Sequence, residues 1–187
     1  MLKKTLLLLT VITVFSHGVE EQNIKSVMDA KTKESIKILK NSTLSQKQKE
    51  KKIIKIMDPI FSYSTMAKIS LGKTWKTLTK KEKKAFTKAF EHKIKRSYID
   101  KLKLYNNQKV MTSSPKKMKS NRIKLTTKIV GNHETYKIIN SFFKKKNTNQ
   151  WYIYDVKLAG VSIIQTFRKQ FAAFLKTKSF NQLLKSL

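Results

Sequence analysis

No cysteine occurs in the 187 residues of this chain. That excludes disulfides, thiolate metal sites and cysteine nucleophiles in one step. A domain without such staples holds together by burial, and this chain is long enough and apolar enough (40% hydrophobic) to build a core. Glycine is also scarce, with four residues, and none sits in a phosphate-cradling loop. Of the three histidines, His92 falls in a lysine-rich segment and His133 in a turn, and neither has a metal-ligand neighbour at useful spacing. The eleven acidic residues form no paired-carboxylate motif. Gly160-Val161-Ser162 lacks the flanking glycines of a nucleophile elbow. No metal, cofactor or catalytic residue is expected, and the chain does not read as an enzyme.

What the chain has in excess is positive charge, a formal +31. Such a field attracts polyanions or an anionic membrane surface. Nearly all of it is lysine, with Arg96, Arg122 and Arg168 the only arginines. Specific recognition of phosphates and bases leans on the planar fork of arginine, so the charge argues for a surface property, with no nucleic-acid partner expected. A lysine-rich composition is also what an AT-rich genome produces.

The N-terminus has the layout of a secretory signal. Lys3 and Lys4 form a basic start, residues 5–15 an apolar stretch, and Ser16-His17-Gly18 a small-residue cleavage region. The apolar run is short for a membrane span, and no cysteine follows it to carry a lipid anchor. The expectation is a signal peptide over residues 1–18, export to the periplasm, and one domain over residues 19–187 with no repeat or linker.

In that domain the apolar spacing predicts helices over 19–41 and 45–57, the second closed by Asp58-Pro59, because the residue before proline leaves helical geometry. A short helix from Ser64 ends at Gly72. Thr79 and Glu82 form a capping box that opens a long helix to about residue 105, with Phe86, Phe90, Ile94, Tyr98 and Leu102 on its inner stripe and lysines opposite. The period then becomes two: strands are predicted over 109–112, 117–130, 134–144 and 150–158, with turns at 131–133 and 146–149. Ser162 caps a helix to about residue 176, and Ser179 caps a last short one. Helices, then sheet, then helices make an α+β fold: a twisted antiparallel sheet of about four strands packed against helices.

Two blocks carry a family resemblance. One runs from Phe61 and reads F-S-Y-S-T-M-A-K-I-S-L-G-K-T-W, with Met66, Ala67, Leu71, Gly72, Trp75, Leu78 and Thr79 on a pattern close to F-x-x-M-A-x-x-x-L-G-x-x-W-x-x-L-[ST]. The other reads W-Y-I-Y-D-V-K-L-A-G-V-S from Trp151 and continues to Arg168 and Phe171. In this order, behind a signal peptide, they resemble the MlaC family, also called toluene-tolerance auxiliary proteins.

The resemblance implies an NTF2/cystatin-like sheet with a lipid cavity between sheet and helices, and phospholipid carried as cargo. It implies a monomeric periplasmic shuttle between an outer-membrane lipoprotein complex and an inner-membrane MCE/ABC complex of a lipid-asymmetry pathway. With periodicity, it nominates Phe61, Met66, Trp75, Phe90, Tyr98, Ile123, Leu125, Tyr136, Ile138, Trp151, Ile153 and Val161 as lipid-binding. Asp155 and Arg168, the charged positions in the matched blocks, are expected to pair as a clamp, or Arg168 to meet a lipid phosphate. The alternatives are a secreted basic protein that binds anionic polymers or membranes without an internal lipid, and a structural adaptor with a dry core.

Overall fold

The computed structural model describes residues 18–102, 105, 107–131 and 135–187; the side chains of residues 100–102 are outside that description. Residues 1–17 of the expected leader, the side chain of the inner-stripe position Leu102 and the turn residue His133 therefore lie outside the described residues. Strand β1 (Val19–Glu20) and a 3-10 turn lead into helix α1 (Ile24–Lys40). Helix α2 (Gln46–Met57) opens on a full capping box at Ser45 and Gln48. Each of these two helices lends a lysine to the other's C-terminal end. Lys49 donates to the Leu39 carbonyl at 2.8 Å, and Lys31 donates to the Ile56 carbonyl. Cations placed at helix C-termini meet the negative end of the dipole, so α1 and α2 are tied as one antiparallel unit.

A 3-10 turn (Asp58–Ile60) carries the chain into α3 (Tyr63–Leu71). Helix α3 stops at Gly72, whose φ of 58° and ψ of −122° suit glycine. Helix α4 (Thr74–Thr77) is a short addition to the expected elements, and the long α5 (Lys80–Leu102) follows. Its cap forms as the Thr79–Glu82 pattern requires: the Glu82 amide donates to Thr79 Oγ1 at 3.2 Å, and the Thr79 amide donates to Glu82 Oε2 at 2.8 Å.

Among the described residues the sheet has seven strands where about four were expected. Residues 117–130 form two strands, β3 (Lys116–Lys119) and β4 (Arg122–Val130), split by a tight turn. With β2 (Lys109–Thr112), β5 (Thr135–Lys144) and β6 (Gln150–Leu158) they run antiparallel in the order β1-β6-β5-β4-β2, and β3 pairs with β4. The two-residue β1 at the edge joins through tertiary contact, which local periodicity does not register. After β6 the chain turns at Ala159 (φ 47°) and Gly160 (φ 85°), the pair of positive φ values a type I′ turn requires. It then pairs back as β7 (Val161–Ser162) before α6 (Ile163–Phe174) and α7 (Phe180–Lys185).

Two cores result. One lies on the inner face of the sheet, where Ile123, Leu125, Phe142, Trp151 and Ile153 meet Ile24 and Met28 of α1 and Ile53 and Met57 of α2. The other joins α3, α5, α6 and α7 around Phe86, Phe90, Phe167 and Phe171. Their rings pack edge-to-face and offset, as between Phe90 and Phe167 at 5.1 Å and Phe86 and Phe171 at 5.7 Å.

Two of the positive-φ positions give opposite expectations. Gly72→Ala should cost about 1–3 kcal/mol, because an L side chain is strained there. Ala159→Gly should gain up to about 1 kcal/mol, since the existing alanine already carries that strain. Urea midpoints at constant m-value measure both.

Candidate functional site

The inner face of the sheet is graded. At the end nearest the β5–β6 turn, β4 presents Ile123 and Leu125, β5 presents Phe142, and β6 presents Trp151 and Ile153; Leu125, Phe142, Trp151 and Ile153 are fully buried. Cross-strand partners share a face, and the register continues this row with Leu125 opposite Asn140, then Thr127 opposite Ile138. Thr127 and Asn140 are buried polar residues. One strip of sheet thus runs from wholly apolar to amide- and hydroxyl-bearing. Its apolar half is covered by the α1–α2 unit through Ile24, Met28, Ile53 and Met57, where the unbranched methionines adapt to irregular shapes. On α1, Ser35 buries a hydroxyl that has no hydrogen-bond partner among the described residues.

Phe61 connects this face to the helical core. It packs against both clusters and forms a parallel bridge to Ile153, beside which the Ser62 amide donates to the Ile153 carbonyl at 2.9 Å. Its ring stacks on Tyr63 at 5.8 Å and meets Tyr98 edge-on at 6.4 Å. Beneath it lies a polar latch. Tyr63 donates to Asp58 Oδ1 at 2.7 Å, and Lys95 donates to Asp58 Oδ2 at 2.6 Å and to Glu91 Oε1 at 2.5 Å. Burial works to lower the Lys95 ammonium, but its two carboxylate partners outweigh that and hold it above its ordinary value. Burial, reinforced by the Asp58 carboxylate, pushes the Tyr63 phenol far up, and burial alone raises Tyr98. The latch ties the turn before α3 to α5, so Lys95 serves a defined contact and leaves the solvated lysine face.

The nominated residues divide between the two cores. Ile123, Leu125, Trp151 and Ile153 share the inner face, with half-buried Ile138 farther along it and Phe61 and Tyr98 packed at its helical margin. Met66, Phe90 and Trp75 belong to the helical core instead: their stripes face α6 and α7, elements whose placement no local period reveals. Tyr136 is 38% exposed and Val161 62% exposed, so neither lies in the enclosed part of the face. Val161 sits at the sheet edge just past the type I′ turn, and Tyr136 near the outer end of β5. The helical cover, Ile24, Met28, Ile53 and Met57, was visible in the sequence only as ordinary helix stripes. Which face they would cover depends on the fold of distant strands.

The expected pairing of Asp155 with Arg168 does not form. A bulge sets two residues of β6 against one of β5, so that Asp155 falls opposite Ser141 while Ile153 stays opposite Phe142. That turns buried Asp155 toward the start of α6. There it accepts from the Ser162 hydroxyl at 2.8 Å and from the Ile164 amide at 3.3 Å, while Ser162 accepts from the Gln165 amide at 3.0 Å. A carboxylate at a helix N-terminus is well placed against the dipole. Arg168, one face over, is exposed and lies across Gly72, its Nε 3.4 Å from where a Cβ would stand. Among the described residues no group of three His, Cys, Asp or Glu side chains is arranged to hold a metal.

The chain is also similar to known proteins. The MlaC protein family model matches residues 29–187. The intermembrane phospholipid transport system binding protein MlaC of Haemophilus influenzae is 27% identical over 117 residues, which is 61% of this chain. The match spans 55% of that relative, little more than half its length. A phospholipid-binding protein from Ralstonia solanacearum, solved in complex with a phospholipid, superimposes with a TM-score of 0.72 at 19% identity, over 89% of this chain and 93% of its own. At that identity the likeness shows a shared fold.

The latch should carry an alkaline signature. Lys95 and Tyr63 are both raised when folded, so their contribution is complete below about pH 10, the ordinary tyrosine and lysine range, and fades above it. The melting temperature should hold to about pH 10 and fall above it, and by less in Tyr63→Phe. Lys95→Met should cost about 1–3 kcal/mol at neutral pH by stripping Asp58 and Glu91 of their partner. Thermal and urea melts measure both.

Proposed function

The chain belongs to the MlaC protein family, and from that premise we propose that it is a periplasmic phospholipid carrier, exported by its N-terminal signal, that shuttles lipid between inner- and outer-membrane complexes of a transport pathway. The observation that carries this reading is the graded inner face of the sheet. Acyl chains fit the apolar half at Ile123, Leu125, Phe142, Trp151 and Ile153, and the head group fits toward Thr127 and Asn140. Phe61 and Tyr98 flank the chains on the helical side. Cargo enters by displacing the α1–α2 unit, which moves as one body because its lysines tie each helix end to the other.

The physical demand is large. Each methylene left in water costs about 0.8 kcal/mol, so two acyl chains of roughly 30 methylenes cost on the order of 20 kcal/mol. A protein that offers an apolar face and leaves the phosphate near polar groups lowers that barrier. Such a carrier binds and releases, and needs no catalytic group or cofactor. The names of the Haemophilus and Ralstonia proteins support phospholipid as the cargo class.

Native purification from a Gram-negative host followed by organic extraction and mass spectrometry should yield near-stoichiometric phospholipid. Ile138→Asp, on the half-buried part of the strip, should abolish retention, because a carboxylate cannot stand unpaired beside acyl chains without a cost of several kcal/mol. Leu125→Asp should do the same from the buried part. Circular dichroism establishes that each variant is folded, and a folded variant with full lipid content refutes the proposed strip.

A further inference from the structure

We propose that the turn end of the sheet, formed by the β3–β4 and β5–β6 turns, is a docking surface for the anionic phospholipid bilayer. The register brings the two turns together: Arg122 at the start of β4 stands opposite Phe143, and Lys144 at the end of β5 stands opposite Trp151. Between them lies an open groove of about 690 Å³, lined by Asn121 and residues 144–149. Lys144, Lys145 and Lys146 supply its charge, and no described carboxylate pairs with them. Across the groove β3 is exposed along its whole length, with Met118 45% exposed between Lys117 and Lys119. Lys117 holds Glu21 at 2.8 Å, which neutralises one of the few acids at this end.

The groove is held in place before any ligand arrives. The Lys145 amide donates to the Gln150 carbonyl at 2.8 Å, the Thr148 amide and hydroxyl donate to the Lys145 carbonyl at 3.2 and 3.0 Å, and the Lys144 amide donates to the Asn121 carbonyl at 3.2 Å. Asn147 takes the left-handed position (φ 59°) that closes the turn. With the backbone satisfied internally, the ammonium groups are left for phosphate oxygens. On the adjoining outer sheet face Arg122 lies over the rings of Tyr154 at 5.3 Å and Phe143 at 5.8 Å, and Tyr152 packs beside Phe143.

This composition selects the occupant. A polyanion in water asks only for cations, whereas a bilayer interface takes cations for its phosphates together with an apolar side chain and amphipathic rings at head-group level. The lysine face of α5 has cations and one half-buried ring, Trp75 under Lys83 at 5.9 Å, but no exposed apolar side chain, since Phe86, Phe90, Ile94 and Ile99 are all buried. The turn end has all three components. Lys145, Lys146 and Met118 lie on the β5–β6 turn and on β3, outside the residues of the inner sheet face, so docking and cargo retention are read separately.

Co-sedimentation of the full chain with vesicles of phosphatidylglycerol mixed with phosphatidylcholine, against phosphatidylcholine alone, tests this at low salt. Each lysine near an anionic surface is worth ~5-fold in partitioning, so Lys145→Glu with Lys146→Glu should lower binding by ~25-fold or more. Met118→Ser should lower it ~5-fold with no change of charge, by withdrawing part of a methionine side chain from the bilayer. Reversing Lys81, Lys84 and Lys88 on α5 removes more charge yet should leave binding within ~3-fold, because exposed charges beyond about 8–10 Å are screened. Extracted lipid per protein should be unchanged in every variant. Equal losses from the α5 and turn variants, a Met118→Ser protein that binds like the parent, or a parent that ignores phosphatidylglycerol would each overturn the proposal.

Discussion

The constraint on which this structure depends is the single apolar face of its sheet. A curled antiparallel sheet with Leu125, Phe142, Trp151 and Ile153 on one side cannot stand in water on that side. Without disulfides, nothing but burial is available to cover it. The α1–α2 unit meets that need, and the lysine ties between its ends make the cover a body in its own right. The second core, built on phenylalanines of α5 and α6, is independent of that cover. The molecule therefore has one core under the α1–α2 cover and a second built among the other helices.

Phe61 and the latch below it join the two halves. A part-buried set of Asp58, Tyr63, Glu91 and Lys95 is costly unless every member is paired, and here the ammonium meets both carboxylates and the phenol meets one. Burying such a group fixes where the turn before α3 sits on α5. That in turn sets the position of Phe61 at the margin of the sheet face. Local polar geometry thus controls the shape of an apolar site it does not line.

Charge has two different uses on this surface. On α5 the lysines are spread along a solvated face, and one of them, Lys95, has been drawn inward to serve the latch. At the turn end of the sheet, lysines stand beside an exposed methionine and arginine-stacked tyrosine and phenylalanine rings. Net charge alone does not distinguish these two, since both are runs of lysine in the chain.

Element types and most of their limits were legible in the residues, because they depend on neighbours a few positions apart. The Thr79–Glu82 cap, the end of α3 at Gly72 and most of the period-two strands follow local patterns and stand where these placed them, while residues 117–130 divide into β3 and β4. The residues Ile123, Leu125, Trp151 and Ile153 were likewise put on an inward face, by alternation taken together with the family resemblance. The choice of what covers that side belonged to the tertiary structure. Met66, Phe90 and Trp75 carry the same kind of stripe as Met28 and Met57, yet pack into the other core, because the partner of a helix stripe is set by chain topology. The bulge in β6 decided the fate of Asp155 in the same way: one extra residue changed its cross-strand partner and gave it to the start of α6, leaving Arg168 outside on Gly72. Pattern along the chain determines which side chains must be buried; only the pairing of distant strands and helices determines against what.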